Sequence, residues 1–209
     1  MQKILVHRLY VRVFHWLNAV AMVIMIMSGW QIYNASPLFD WLEFPRAITL
    51  GGWLGGALQW HFAAMWLFVV NLLVYLVLGI VTGHFARKFF PLTPRALVHD
   101  ISQAARFKLA HESHDYNAVQ KLFYIGVIFI MLMTFLSGLE VWKSVQFHAL
   151  SVIFGNYDTA RVIHFSGMSL ICAFIVVHLA LVALVPSTLL PMITGRAKPF
   201  PNEENHHAA

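Results

Sequence analysis

Charged residues are scarce in this chain. Lysine, arginine, aspartate and glutamate make up 11% of the 209 residues, whereas 59% of the residues are hydrophobic and the mean hydropathy is +0.69. So few charges cannot cover the surface of an ordinary soluble domain of this size. The composition therefore predicts an integral membrane protein.

Cysteine is almost absent as well. Cys172 is the single cysteine, which excludes an intrachain disulfide, a cysteine-ligated iron–sulfur cluster and a Cys-x-x-Cys-His haem attachment. Any redox cofactor must therefore be held by other side chains. The net charge of +5 is spread between apolar segments and never forms one basic patch, so we expect no nucleic-acid partner.

Four apolar segments are long enough to cross a bilayer, for which roughly 20 helical residues suffice. They run approximately over residues 13–33, 61–83, 118–142 and 162–184. We expect an all-α membrane protein, a four-transmembrane-helix bundle that occupies residues 1–200 as one domain. Residues 201–209 form a polar tail that we expect to be disordered. No small-residue cleavage site follows the first segment, so we interpret it as a retained helix and not as a signal peptide.

The distribution of basic residues predicts the orientation of this bundle. Three lysines or arginines precede the first segment, six lie between the second segment and the first turn of the third, and two follow the fourth. The loops on the other side contain three. The positive-inside rule then predicts that both termini are cytoplasmic and that the chain is a multi-pass protein of the bacterial inner membrane.

Histidines lie within the predicted membrane segments, where a titratable side chain is costly unless it has a partner. His164 and His178 are fourteen residues apart, which is almost four helical turns, so both rings leave one face about 21 Å apart along the helix axis. The predicted orientation places His15 at the depth of His178 and His61 at the depth of His164. The four histidines thus form two pairs at opposite depths.

Two facing imidazoles are the ligand set of a six-coordinate b haem, which needs no covalent link to cysteine. Such ligands are usually presented in the interior of a helix bundle. We therefore predict two haem b groups, one with iron ligated axially by His15 and His178, the other by His61 and His164. We predict no catalytic side chain beyond these cofactor ligands.

Glycines recur on the faces that carry these histidines. Gly29 follows His15 by fourteen residues, and Gly79 and Gly83 return to the face of His61. Glycine at such positions would let a porphyrin approach the backbone. Ordinary close contacts between helices would explain the same glycines equally well.

Two arginines precede proposed ligands by one helical turn. Arg12 lies in "RVFH" before His15, and Arg161 lies in "RVIH" before His164. Arginine suits the pairing with a haem propionate at the membrane interface, so we expect each arginine to contact a propionate. The alternative is that both are topology signals of the interface.

With these residues in place, the chain resembles the cytochrome b561-type membrane subunits of respiratory complexes. Examples are the gamma subunit of formate dehydrogenase and the cytochrome b subunit of nickel–iron hydrogenase. In that family the first and second helices each give one haem ligand and the fourth gives two at a spacing of fourteen. His15, His61, His164 and His178 occupy those places.

A second resemblance lies at the start of the third segment. The motif "YNAVQK" is similar to the Tyr-Asn-Ala-x-Gln-Lys motif of the formate dehydrogenase subunit, whose asparagine helps to bind a quinone. The resemblance makes Asn117 a candidate quinone ligand, with ubiquinone or menaquinone as substrate. Asn117 is equally well placed to cap the third helix.

The long stretch that begins "HRLYVRVFHW", together with "PMITGR", is similar to thiosulfate-reductase-like cytochrome b subunits. Those subunits often accompany periplasmic molybdopterin oxidoreductases, so the resemblance implies a periplasmic redox partner of that kind. The sequence thus predicts a di-haem cytochrome that carries electrons between this partner and a membrane quinone, in either direction. A homodimer is compatible with it.

Two other functions remain open at this point. One is a free-standing haem oxidoreductase that oxidises superoxide or reduces metal ions at the periplasmic face. The other is a proton-coupled transporter, which could also bury histidines. We disfavour the transporter because neither repeated halves nor broken helices are visible in the sequence.

Overall fold

The computed structural model describes residues 4, 5, 7–105 and 117–197, and the predicted tail at 201–209 lies outside them. In chain order the helices are α1 (Leu9–Ala35), α2 (Leu54–Val81), α3 (His84–Phe89), α4 (Pro94–Ala105), α5 (Ala118–Trp142), α6 (Ser151–Phe154), α7 (Tyr157–Leu184) and α8 (Leu189–Thr194). In the described part of the chain, the strands are the two-residue β1 (Ile4–Leu5) and β2 (Arg196–Ala197), which pair antiparallel.

The helices α1, α2, α5 and α7 are long and apolar enough to cross a membrane. They contain 25 to 28 residues, and the most apolar window of each has a mean hydropathy of 1.7 to 2.5. The prediction of an all-α protein with four membrane helices is confirmed. The helix α5 has the predicted bounds, whereas the other three begin four to seven residues earlier than expected. Their backbone hydrogen bonding continues beyond the apolar core, which is the only part that hydropathy detects.

The chain divides into two compact units. The first comprises residues 1–75 and 175–209 and contains α1, most of α2, the end of α7 and α8. The second comprises residues 76–174 and contains the end of α2, α3 to α6 and most of α7.

Within the first unit, the beginning of α1 is bonded to the C-terminal segment. Arg12 Nη1 donates to the carbonyl of Ile193 at 2.9 Å, and Trp16 Nε1 donates to the carbonyl of Met192 at 3.1 Å. The strands β1 and β2 pair beside these contacts. The C-terminal segment is thus held against the helix turn that carries His15.

The loop after α1, also in the first unit, is fixed by an asparagine. The amide of Asn34 donates to the carbonyl of Phe44 at 2.7 Å and accepts from the amide N–H of the same residue at 3.0 Å. The Phe44 ring stacks on Trp30, with ring centroids 4.9 Å apart. Both polar ends of the Asn34 side chain are therefore satisfied.

In the second unit, the end of α2 depends on two glycines. Gly83 has a φ of +64°, a left-handed conformation that glycine adopts at little cost, and α3 begins at the next residue. At Gly79 the ring of Phe85 occupies the space that a Cβ atom would need. This contact agrees with the alternative that the sequence analysis left open for Gly79, a close contact between helices.

Candidate haem-ligand site

The first unit brings two of the predicted ligands together. The rings of His15 in α1 and His178 in α7 have centroids 6.2 Å apart and planes inclined by 51°. Two imidazoles that bind one metal ion from opposite sides, with metal–nitrogen bonds of about 2 Å, would have centroids about 6 Å apart. The spacing of this pair therefore suits a metal held between the rings.

One ring nitrogen of His15 makes no hydrogen bond within the described part of the chain. Its Nδ1 is buried and has no hydrogen-bond partner among the described residues. Trp16 meets the ring edge-on, with centroids 5.1 Å apart. No hydrogen bond from the described part of the chain thus engages Nδ1 of His15.

His61 of α2 lies against α1 in the same unit. Its Nδ1 is 3.1 Å from the carbonyl oxygen of Met25 and 3.1 Å from Ser28 Oγ. Because a carbonyl oxygen only accepts, Nδ1 carries the proton, and Ser28 can accept from it because its own hydroxyl donates to the carbonyl of Ile24 at 2.6 Å. In the neutral ring, Nε2 then keeps the lone pair that a metal needs.

The second unit repeats this arrangement around His164 of α7. Nδ1 of His164 is 2.8 Å from the carbonyl oxygen of Thr134 in α5. Nδ1 is again the donor, so in the neutral ring Nε2 again keeps the lone pair. Ser137 is fully buried and donates its hydroxyl to the same Thr134 carbonyl at 3.0 Å.

Each histidine ring also lies against a glycine. A Cβ atom on Gly29 would be 3.5 Å from Cε1 of His61, and one on Gly138 would be 2.9 Å from Cε1 of His164. Gly29 therefore contacts a proposed ligand ring. We call each set of carbonyl, serine and glycine a Ser–Gly recess: Met25, Ser28 and Gly29 around His61, and Thr134, Ser137 and Gly138 around His164.

The sequence analysis missed Met25, Ser28, Thr134, Ser137 and Gly138. A signal for them was present, since "MIMSG" in α1 and "TFLSG" in α5 share a Ser-Gly pair three and four residues after the carbonyl that holds the ring. That spacing places all three residues on one helix face. A search for short repeats on different helices would have found it.

The pairing of His61 with His164 stays a prediction. His61 belongs to the first unit and His164 to the second. In both recesses the histidine carries its proton on Nδ1, as a histidine that binds a metal through Nε2 does.

The two arginines have protein partners beside their predicted role. Arg12 uses Nη1 for the carbonyl of Ile193 at 2.9 Å, while its buried Nε has no partner among the described residues. The Arg161 guanidinium lies 5.8 Å from the centroid of the Tyr157 ring. Their contact with propionates stays a prediction, for which Arg12 has an unused donor.

Asn117 caps α5. Its side-chain oxygen accepts from the backbone N–H of Gln120 at 2.8 Å, and the Gln120 side chain accepts from the N–H of Asn117 at 3.2 Å. Asp100 of α4 accepts from the next backbone N–H, that of Ala118, at 2.7 Å. The capping alternative is therefore correct, and the quinone role of Asn117 stays a prediction that leaves only its amide N–H available.

The histidines present fit a haem group. A b haem needs two imidazole nitrogens with lone pairs and a cation beside its propionates. Nδ1 of His61 and Nδ1 of His164 are engaged as donors, His15 and His178 have the required spacing, and Arg12 has a buried N–H without a partner in the described ranges. No cluster of three or more metal-binding side chains occurs among the described residues.

Comparisons with known proteins agree with this chemistry. The chain is 54% identical over 191 residues to a protein of Azospira oryzae named as a protein-methionine-sulfoxide reductase subunit, YedZ1, covering 91% of this chain and 96% of the relative. It is 24% identical over 185 residues to a protein of Cupriavidus necator named as a Ni/Fe-hydrogenase B-type cytochrome subunit, covering 80% of this chain and 74% of that protein. The family model described as prokaryotic cytochrome b561 matches residues 6–195. The chain therefore belongs to the prokaryotic cytochrome b561 family, as a multi-pass bacterial membrane protein that carries electrons on b-type haem.

Proposed function

We propose that this protein holds two b haems and carries electrons across the bacterial inner membrane between a periplasmic redox partner and the membrane quinone pool. The observation that carries the proposal is the approach of His15 and His178, whose ring centroids are 6.2 Å apart. Histidine at membrane depth is costly without a partner, and a metal held between two facing rings would partner both of them.

His15 and His178 are the proposed ligands of the haem near the cytoplasmic face. His61 and His164 are the proposed ligands of the haem near the periplasmic face, and the carbonyls of Met25 and Thr134 hold their Nδ1 protons. A six-coordinate b haem, when bound, exchanges one electron at a time between ferric and ferrous iron. The protein contributes ligand orientation, burial and separation between the two haems.

Arginine and glycine complete the proposed haem contacts. Arg12 offers its buried Nε–H to a propionate of the first haem. Arg161, one turn before His164, is proposed to contact a propionate of the second. Gly29 lies against the ring of His61 and leaves space for that ring beside α1. The helix that carries each arginine also carries a proposed ligand one turn later.

The partner is a redox protein. Relatives of this chain are named as subunits of a methionine sulfoxide reductase and of a nickel–iron hydrogenase, two enzymes that exchange electrons with other proteins. We propose a periplasmic oxidoreductase, of the molybdopterin class that the sequence resemblance implies. Both termini are proposed to be cytoplasmic by the distribution of lysine and arginine. A homodimer is compatible with this arrangement.

The decisive experiment is a dithionite-reduced minus oxidised visible spectrum of the detergent-purified chain, with a pyridine haemochrome assay for haem per polypeptide. We expect two b haems per chain. One haem per chain would overturn the di-haem part of the proposal. No haem, in folded protein expressed with a haem supply, would overturn the whole and return the histidines to packing or proton transport.

Quinone binding by Asn117 is tested by two substitutions with different effects on the cap. Asn117→Ser keeps an N-cap residue but removes the amide N–H, whereas Asn117→Ala removes both. If Asn117 binds quinone, both variants retain two haems and lose about tenfold in the rate of haem oxidation or reduction by quinone. A normal rate in Asn117→Ser would show that the residue is a cap alone.

A further inference from the structure

Asn71 is a buried amide in the middle of α2, within the first unit. Its side chain is 4% exposed, and Nδ2 donates to the backbone carbonyl of Phe14 in α1 at 2.9 Å. Because that carbonyl only accepts, the orientation of the amide is fixed with nitrogen toward Phe14. Its Oδ1 is buried and has no partner among the described residues. The amide is therefore half satisfied.

The unsatisfied oxygen belongs to a polar group around one stretch of α1. In a helix the carbonyl of Phe14 points toward residue 18, so the Asn71 amide lies beside the turn that carries His15 and Asn18. Asn18 Oδ1 is also buried without a partner, as are His15 Nδ1 and Arg12 Nε. Five such atoms occur in the described residues, and four of them are here, the fifth being on Glu140.

A haem between His15 and His178 would not satisfy the amide oxygen. A haem with iron bound has no N–H or O–H on its ring, and its ionised propionates are acceptors. A propionate suits the free N–H of Arg12, whereas Asn71 Oδ1 needs a donor. An unpaired carbonyl oxygen at membrane depth costs as much as a lost hydrogen bond, so the site favours a ligand that supplies an O–H or N–H.

The two redox forms of a quinone differ in this respect. A hydroquinone carries two ring hydroxyls that donate, whereas the oxidised quinone carries two carbonyl oxygens that only accept. We propose that Asn71 Oδ1 accepts a hydrogen bond from a ring hydroxyl of a hydroquinone, which makes Asn71 a specificity residue for the reduced form. The inference rests on the proposed function and deepens it, because it identifies the reduced form of the quinone as the form that this site recognises.

Access to the position is consistent with a membrane-soluble ring. His15 and Asn18 are half-buried, and the α1 residues between them, Trp16 and Leu17, are exposed. The surface of α1 next to this turn is thus partly exposed, whereas Asn71 is buried, so a ring hydroxyl must enter between α1 and α2 to reach Oδ1. Asn117 requires no part in this contact, because it offers an amide N–H and suits a quinone carbonyl instead.

The test measures binding of decylubiquinol and of its dimethyl ether, which lacks both donors. The purified haem-loaded protein is first reduced with dithionite, so that no electron transfer accompanies binding, and both ligands are titrated by calorimetry. We expect wild type to bind the hydroquinone about tenfold more tightly than the ether. Asn71→Leu should lose this preference by weakening decylubiquinol binding about tenfold while leaving ether binding unchanged.

Two controls separate the proposal from structural damage. Asn34→Leu removes a half-buried amide at the end of α1 whose two ends are both bonded within the protein, so it should keep the hydroquinone preference. Haem content by pyridine haemochrome shows whether each variant is assembled. If Asn71→Leu does not assemble, Asn71→Thr keeps a hydroxyl acceptor and should retain part of the preference.

The outcomes are distinct. Equal binding of the two ligands by wild type, or an unchanged preference in Asn71→Leu, would overturn the inference and leave an ordered water as the donor to Asn71. Absence of haem in wild type would overturn the proposed function itself. With haem present, Asn71→Leu should also raise the KM for decylubiquinol in haem reduction with little change in kcat.

Discussion

The two Ser–Gly recesses both hold a histidine through a backbone carbonyl, but they differ in the space that they leave beside the ring. In the first unit, Gly29 leaves 3.5 Å between a would-be Cβ and the His61 ring, which is ordinary van der Waals contact. In the second unit, the same distance from Gly138 to the His164 ring is 2.9 Å. One recess would accept a methyl group, and the other would not without moving the ring.

The second recess is tighter for a further reason. Gly167 of α7 faces Thr134, and a Cβ atom there would overlap the Thr134 side chain. Thr134 is the residue whose carbonyl holds His164 at 2.8 Å. The contact of α5 with α7 around His164 thus depends on two glycines, whereas the contact of α1 with His61 depends on one that has room. The two recesses thus share the hydrogen bond between a backbone carbonyl and Nδ1 of the histidine, but they differ in how tightly the glycine packs against the ring.

The largest expected effect comes from removing the rings themselves. If His61 and His164 ligate one haem, His61→Ala and His164→Ala should each lose one of the two haems and keep the other. Pyridine haemochrome assays count the haems, and potentiometric titration identifies which one remains. Retention of both haems in either variant, or loss of different haems in the two, would show that these histidines are not a pair.

Substituting the glycines should separate the two recesses. Gly138→Ala forces the His164 ring to move by a few tenths of an ångström, and overpacking of this kind typically costs about 1–3 kcal/mol. Gly29→Ala adds a methyl group in ordinary contact and should cost less than about 1 kcal/mol. We expect Gly138→Ala to lose occupancy of the second haem or to change its spectrum, and Gly29→Ala to bind both haems normally.

Gly126 provides the matched control for these variants, because a Cβ atom there would meet nothing within 4 Å. Gly126→Ala lies on the same helix as Gly138 and should leave haem content and spectra unchanged. Equal behaviour of Gly29→Ala and Gly138→Ala would contradict the difference in packing that separates the two recesses.

Much of this arrangement could be predicted from the sequence, because it depends on local patterns. Hydropathy identified the four long helices, and the predicted orientation placed His15 at the depth of His178, two residues that the structure brings together. The bounds of α5 matched, and a capping box at Asn117 begins that helix. The helices and the cap need only the neighbouring residues of one segment, and the depth of the histidines needs only the order of the segments and the basic residues between them.

The recesses could not be predicted in the same way. Their hydrogen bonds join a ring on one helix to a backbone carbonyl on another. Every residue has a backbone carbonyl, so the residue types do not indicate which carbonyl is used. The sequence left Gly29 and Gly79 open between the approach of a porphyrin and a close contact between helices. In the structure Gly29 and Gly138 lie against histidine rings and Gly79 against Phe85. A small residue in the sequence indicates that some group packs closely against the helix, but it does not indicate which group.

The smallest expected effect concerns the two serines, which are both fully buried but act in opposite senses. Ser28 Oγ is a second acceptor for Nδ1–H of His61, at 3.1 Å, whereas Ser137 donates to the Thr134 carbonyl that His164 also uses. A ligand histidine whose N–H is accepted more strongly is more basic and stabilises ferric iron. Ser28→Ala should therefore raise the reduction potential of the haem bound by His61, and Ser137→Ala, which frees the Thr134 carbonyl for His164, should lower it slightly.

The expected shifts of the reduction potential are small, and their opposite signs distinguish the two serines. A neutral hydrogen bond is worth about 1 kcal/mol net, and a tenfold change in a one-electron equilibrium is about 59 mV, so shifts of about 20 to 40 mV are expected for Ser28→Ala and less for Ser137→Ala. Potentiometric titration of each variant, with haem content as the check on assembly, measures both. Shifts of the same sign in the two variants would mean that the serines act through packing, since only the hydrogen-bond pattern predicts opposite signs.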